Sequence, residues 1–477
     1  MTGDEAYFLS WGRHPDWGFY DHPPMVGWWL APLLAVSDAE SVVRLPALLL
    51  PPALALLARQ ALRAWFGALP AQADLAGVLL LLAPLSVWNV LITTDTPLSL
   101  FALASLLLFA RAAQTGRAAA YLGAGACLGL AFLSKYFAVL LGMAYFAWAV
   151  FSPDVRTRWR GLGLVVLAAL PFGLVNAWWN YEACWANVMF NAVNRHAGAG
   201  FSWRTPALFA ATMAYLFAPF AWYAWNRRGA LVTELFEPER RALHFAWLVP
   251  LAVFALLAPV KTIGLHWLQS FVPAVVLGAA LFLERVELER CVRYFALFAG
   301  LHAVLAAGVA LTPLERWQPL RIYPAMVYLA ETPRLLELVA PYANRHALAA
   351  DGYSSAAILA YHGRREVPVF GPGSSHARHD DILTDWRGFD GRDIMILRKE
   401  PPPREDYAPY FRSIELRTIE LRGATFHLVL GDGFDYQAYR ARVLAQVRER
   451  WYRIPPALPL GRCYFCERYY PDRSCGG

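Results

Sequence analysis

Between about residue 41 and residue 312 the chain is a succession of apolar runs, roughly 41–58, 74–92, 96–110, 119–134, 136–151, 161–178, 205–225, 243–260, 266–283 and 293–312. A stretch of about 20 apolar residues crosses the hydrocarbon core only as a helix, because its backbone polar groups find partners nowhere else there. The pattern therefore predicts an α-helical polytopic membrane protein of about ten spans. The runs at 96–110 and 119–134 fall short of a full crossing, and are expected as tilted neighbours that end at a funnel inside the membrane.

Composition agrees: 58% of the 477 residues are hydrophobic and 17% are charged, with 19 Trp. The net charge of +7 does not point to nucleic acid, because the basic residues lie between the apolar runs and form no patch. Arg59 and Arg63, Arg111 and Arg117, Arg156, Arg158 and Arg160, Arg227, Arg228, Arg240 and Arg241, and Arg285, Arg290 and Arg293 fall in every second connection. The positive-inside rule makes those connections cytoplasmic. No cleavable signal peptide is expected at the start.

This orientation sorts the remaining polar segments onto one face. Residues 1–40 become an outer loop with acidic motifs, and 41–312 the transmembrane domain. Residues 313–477 become a small outer-face α/β domain with a cysteine-containing tail, because strand-like runs such as "DIMILR" and "TFHLVL" alternate there with helical ones such as "YQAYRARVLAQVRERW". The turn "ITTDTPL", the break "LSKY", the loop "NAVNRHAGAG" and the turn "PVKTIGLHW" share that outer face. Ionisable groups at membrane depth are costly and usually functional, so Asp95, Lys135 and Lys261 on one side carry more weight together than apart. Separately, each has a plainer reading: Asp95 as a helix N-cap, the two lysines as interfacial snorkelling residues.

The motifs "GDEAYF", "WGFYDHPPM", "VRLPALLL", "TTDTPLSLF", "GLAFLSKY" and "VKTIGLHWLQSFVPA", in this order, resemble the polytopic C-type glycosyltransferases that take a polyprenyl-phosphate sugar as donor. Within them the chain is most similar to the bacterial branch related to protein O-mannosyltransferases and to the lipid A aminoarabinose transferase. The resemblance implies a membrane glycosyltransferase of the bacterial inner membrane, with its active site and C-terminal domain on the periplasmic face. Its partners would be a polyprenyl-phosphate sugar, a lipid, glycan or protein acceptor, and membrane lipids, without nucleic acid. It further implies that the acidic pair Asp4-Glu5 opens the site, with Asp4 as general base, and that Asp95 is the second carboxylate. Asp21 and His22 of "DHPP" would line the same cavity, although the aminoarabinose branch usually carries Lys where His22 stands, which leaves the sugar open. Lys135 and Lys261 would lie near the lipid phosphate. The family carries a membrane span immediately before its acidic pair, whereas only Met-Thr-Gly precedes it here, which leaves either a late start or a naturally shortened protein; a longer upstream reading frame coding for about 20 apolar residues would settle which.

The chemistry makes the same demand. A departing phosphate develops negative charge, which Lys135, Lys261, His266 and Arg195 are suited to meet. An acceptor hydroxyl is a weak nucleophile, and a carboxylate that takes its proton contributes typically ~10²–10⁴-fold. With a phosphate acceptor no base is required, and Asp4 would instead position it or hold a divalent metal ion. Two alternatives remain open: a ligase for a pyrophosphate-linked glycan, and a non-enzymatic transporter or flippase of lipid-linked sugar. The latter should show polar residues on both faces and repeated halves, which the sequence lacks. Cys127, Cys184 and Cys291 read as packing residues in or beside spans. In the tail, Cys463, Cys466 and Cys475 allow one disulfide with a thiol left over, or a zinc site that lacks a fourth ligand.

Overall fold

The computed structural model describes residues 1–87, 89–153, 155–196 and 200–471. Among the described residues, seven helices are long and apolar enough to cross a membrane: Glu40–Ala64, Asp95–Thr115, Thr157–Glu182, Arg204–Asn226, Pro238–Leu257, Leu265–Phe282 and Arg285–Leu311. Three further expected spans appear as shorter apolar helices, Pro70–Leu82, Ala118–Ser134 and Ala138–Phe151. The Thr157–Glu182 and Arg285–Leu311 helices bury only 17% and 6% of their most apolar windows in the protein. Side chains such as Leu297 and Val304 face outward, as a lipid-facing surface requires.

The Arg-rich connections gather at one end of the bundle. There Gln114 donates to the carbonyl of Trp65, Gln72 to that of Leu283 and Trp148 to that of Pro238, while Arg227 pairs with Glu284 and Glu287. The polar turns with Asp95, Lys135, Arg195 and His266 meet at one cavity, against the C-terminal domain.

Residues 1–40, expected as an outer loop, instead contain two helices, Gly3–Arg13 and Met25–Val36. The first is started by a capping box in which the Thr2 hydroxyl accepts from the Glu5 amide and Glu5 accepts from Thr2. Its buried face, Tyr7, Phe8 and Trp11, packs with Phe19, Val26 and Ile92, and Trp11 stacks on Phe19 at 4.5 Å. The apolar face was hidden in the sequence by the charges interleaved with it.

The C-terminal domain carries a four-stranded sheet in the order β1-β2-β4-β3, with β1 Ala347–Ala350, β2 Ile394–Arg398, β3 Phe411–Leu421 and β4 Ala424–Phe434. β1 runs parallel to β2; β4 is antiparallel to both β2 and β3. "DIMILR" becomes β2, whose Ile394, Met395, Ile396 and Leu397 are fully buried because helical and aromatic layers cover both faces. Arg422 (φ 53) and Gly423 (φ 74) make the two-residue turn joining β3 to β4, the twist that a tight hairpin needs.

The tail is tied back to the bundle. Cys184, expected as a packing residue, forms a disulfide with Cys463. Cys466 is also disulfide-bonded, so neither tail thiol is available to a zinc ion; Cys475 lies outside the described residues. The pairing joins positions 279 residues apart, a distance at which sequence spacing is silent.

Candidate functional site

A cavity of about 520 Å³ opens where the polar end of the bundle meets the C-terminal domain. Of the nine residues singled out in the sequence, it brings together Asp4, Asp21, His22, Asp95, Lys135, Arg195 and His266. Glu5 and Lys261 are not on its wall.

Each wall residue is placed by a local device. Asp95 opens the Asp95–Thr115 helix, where the backbone dipole favours a carboxylate. It is not the N-cap; that position is Thr94, and both Asp95 carboxylate oxygens accept from Lys135 Nζ, at 2.8 and 2.6 Å. Lys135 reaches it because the helix ends at Ser134 and Lys135 turns extended (φ −163, ψ 141) before the next helix begins at Ala138. Both groups are buried, so the pair brings no net charge to the cavity.

Asp21 sits on a turn closed by the Phe19 amide and the His22 carbonyl. An amide-rich network holds that turn: Asn187 donates to the Tyr20 carbonyl at 3.0 Å, Asn191 to the Asp21 carbonyl at 3.2 Å, and Tyr136 to Asn187 at 2.7 Å. Tyr7 donates to Asp21 Oδ1 at 2.9 Å and accepts from the His379 amide. Burial, with the Asp4 carboxylate adding to it, pushes the Asp21 carboxyl up to about 7 against the Tyr7 hydrogen bond. Burial likewise pushes His22 well below its ordinary value, aided by Lys135 and Arg195, so its ring is neutral near pH 7.

Asp4 is exposed on the cavity wall, and Oδ1 accepts from the Tyr353 hydroxyl at 2.9 Å. Burial and the Asp4 charge raise the Tyr353 phenol, which keeps it a donor. The contact depends on Gly3: a Cβ there would lie 1.8 Å from Ser354 Oγ, so only glycine lets the first helix approach the domain this closely.

Glu5, one residue on, faces the other way. It is 1% exposed and takes two contacts of 2.7 Å from Arg44, plus the Thr2 amide and hydroxyl. Burial alone would raise its carboxyl, but Arg44 and Thr2 outweigh it and hold it below the usual range. Every acceptor is committed, so the geometry makes Glu5 a brace for the first helix. Lys261 Nζ donates to the Arg195 carbonyl at 2.9 Å, and thereby fixes the backbone that carries Arg195. The guanidinium of Arg195 lies 4.8 Å from the Trp267 ring centroid and 5.8 Å from that of Phe190. Phe190 sits in a π-helical turn, Met189–Val193, a local widening that often accompanies functional sites.

Sequence reasoning missed Tyr353, His376, Tyr7 and Asn89 on the wall. The first two come from the C-terminal domain, where no motif marked them. Asn89 accepts from Gln269 at 2.9 Å and donates to the Ala47 carbonyl at 2.7 Å, a link between "WNVLITTD" and "LQSF". As for metals, His346, Asp393 and Asp432 converge at the sheet, but Arg345 already donates to both carboxylates, at 2.8 and 3.1 Å. A guanidinium in that position opposes a cation.

The geometry defines a polar cavity at the end of a helical membrane bundle, bounded by carboxylates, buried or stacked cations and the C-terminal sheet domain. Residues 21–179 match the dolichyl-phosphate-mannose-protein mannosyltransferase family. The lipid A galacturonosyltransferase RgtD of Rhizobium johnstonii is 30% identical over 183 residues, an alignment that spans 38% of this chain and 38% of that relative. The fold matches ArnT of Cupriavidus metallidurans bound to undecaprenyl phosphate, with a TM-score of 0.60 at 16% identity over 89% of this chain and 92% of that one. The apo form gives 0.61 at 17% identity, over 90% and 92%. Part of the chain, residues 21–179, is thus similar to the dolichyl-phosphate-mannose-protein mannosyltransferases, and the chain as a whole shares the fold of ArnT.

Proposed function

We propose that this chain is a membrane glycosyltransferase that moves a sugar from a polyprenyl-phosphate donor to an acceptor hydroxyl on the outer face of the bacterial inner membrane. The observation that carries the reading is the convergence, on one cavity, of the carboxylates Asp4 and Asp21 with the guanidinium of Arg195 and the buried Asp95–Lys135 ion pair. The donor's phosphate lies against Arg195, with the Asp95–Lys135 pair and His266 beside it. Asp4 faces the acceptor. As the acceptor oxygen bonds to the anomeric carbon, the bond from that carbon to the phosphate oxygen breaks and the hydroxyl proton passes to Asp4. The phosphate departs with its added charge held by fixed cations, an arrangement worth several kcal/mol in a cavity of restricted water. Lys261 acts through Arg195, and Glu5 through the helix that carries Asp4.

The structure bound to undecaprenyl phosphate supports the donor class, and the relative named for lipid A supports a glycolipid acceptor. For orientation, the arginines at the far end of the bundle support a cytoplasmic position for that end. The Cys184–Cys463 disulfide supports an oxidising compartment for the domain side.

The test is transfer in membranes, with a panel of polyprenyl-phosphate sugars and lipid A as acceptor. Asp4→Asn keeps size and hydrogen bonding but takes no proton, so transfer should fall by ~10²-fold or more while undecaprenyl phosphate binding stays near the parental value. Parental transfer by Asp4→Asn would move the base to Asp21. Absence of transfer from every polyprenyl-phosphate sugar, by folded protein, would overturn the reading.

A further inference from the structure

A second, open cavity, of about 870 Å³, is lined wholly by the C-terminal domain. Tyr353, His376 and Ala377 line both it and the membrane cavity, so the two adjoin at these residues. The segment that carries His376 and Ala377 is firmly held. Arg378, ion-paired to Asp381 at 2.7 Å, donates to the carbonyls of Pro372 and Ser374, and the Gly371 amide donates to the Tyr439 hydroxyl at 2.8 Å. Ala377 has φ 54, a conformation that an L-residue holds only where its surroundings fix it, and such positions cluster at binding sites. On the far wall a π-helical turn, Arg440–Leu444, carries Arg442 and Val443 into the cavity.

The lining identifies the kind of ligand. Carboxylates (Asp351, Glu405, Asp406) and guanidiniums (Arg398, Arg442) share the lining with Tyr407 and Tyr410. Arg398 is fixed by Asp351 at 3.2 Å and by the Tyr407 hydroxyl at 2.7 Å. Arg442, Glu405 and Asp406 make no side-chain hydrogen bond or ion pair among the described residues, and all three are exposed. Charges of both signs side by side suit neither a simple anion nor a simple cation. They suit hydroxyl groups, each of which donates and accepts, while the aromatic rings suit the apolar face of a sugar. The volume falls within the roughly 300–1,000 Å³ of small-molecule sites.

We propose that this cavity is the head-group site for the acceptor: it takes the carbohydrate head of a glycolipid and presents one hydroxyl, past Tyr353 and His376, to Asp4. The proposal rests on the glycosyltransferase reading and adds to it where the acceptor binds and which part of it is recognised. The Tyr353–Asp4 hydrogen bond marks the point at which the head group meets the base.

The test is hydrogen exchange by mass spectrometry on the full chain in detergent, with three probes: deacylated lipid A (a phosphorylated glucosamine disaccharide), the neutral disaccharide chitobiose, and undecaprenyl phosphate. Either saccharide should slow exchange in residues 371–378 and 403–410, whereas undecaprenyl phosphate should act on the membrane cavity. Asp406→Asn and Arg442→Ala, both at exposed positions, should each raise the half-saturating saccharide concentration by roughly tenfold, the size of one lost charged hydrogen bond. In the transfer assay they should raise the acceptor KM with kcat and donor KM unchanged. Saccharide that leaves those segments unprotected, or binds both variants as it binds the parent, overturns the proposal. Saccharide protection in a chain that transfers nothing would instead refute the transferase reading and leave the site standing.

Discussion

Lys135→Met removes the partner of a carboxylate that is 3% exposed and receives two charged contacts from that one ammonium. Taking one ion out of a buried pair leaves the other desolvated and alone, at a cost of about 3–5 kcal/mol, whereas replacing both by apolar or neutral groups of similar size is often neutral. Against a total stability of about 5–15 kcal/mol this is a large share. Lys135→Met and Asp95→Asn should each lower the thermal midpoint of the detergent-purified protein by several degrees. The double variant should recover most of the loss, which gives a coupling energy of several kcal/mol in the mutant cycle. Transfer should not recover, because the wall of the proposed donor site has lost the preorganised dipole of the Asp95–Lys135 pair. The measurement is a tryptophan-fluorescence melt of all four proteins beside their transfer rates. Single variants as stable as the parent would show that the pair is not a buried unit, and a double variant as active as the parent would remove the pair from the donor site.

Glu5→Gln should weaken the Arg44 contacts and lower stability by about 1–3 kcal/mol, seen as reduced folded yield with unchanged donor affinity in the protein that survives. For Asp21, folding raises the carboxyl to about 7, so the folded chain binds more protons than the unfolded one from pH ~4 to ~7, and stability should fall as pH rises through that window. Asp21→Asn should flatten the slope in a series of melts. Cys463→Ser should cost about 2–5 kcal/mol, and reductant should shift the parent by more than it shifts the variant, which keeps the disulfide of Cys466. Lys261→Ala should reduce transfer less than Arg195→Ala, because it loosens the backbone that carries the guanidinium without removing the charge; equal losses would give Lys261 its own phosphate contact.

Residues 41–312 announced their helices because each must satisfy its backbone within itself, and a local rule of that kind is legible in local sequence. The same rule marked Asp95 and Lys135 as exceptions, and the break "LSKY" as the place where a helix stops. β2 was legible for a similar reason, since a short apolar run between turns has few other uses. Asp4 and Glu5 were not separable in this way. They are adjacent and alike, and only a helix, which turns consecutive side chains about 100° apart, sends one to the cavity and the other to Arg44. That Lys135 pairs with Asp95, that Cys184 meets Cys463, and that Tyr353 and His376 complete a membrane cavity are contacts across 40, 279 and hundreds of residues. No periodicity encodes such pairs. They exist because close packing and the cost of unpaired buried charge select one arrangement of the whole chain, and the function of each side chain is set by whatever that arrangement places beside it.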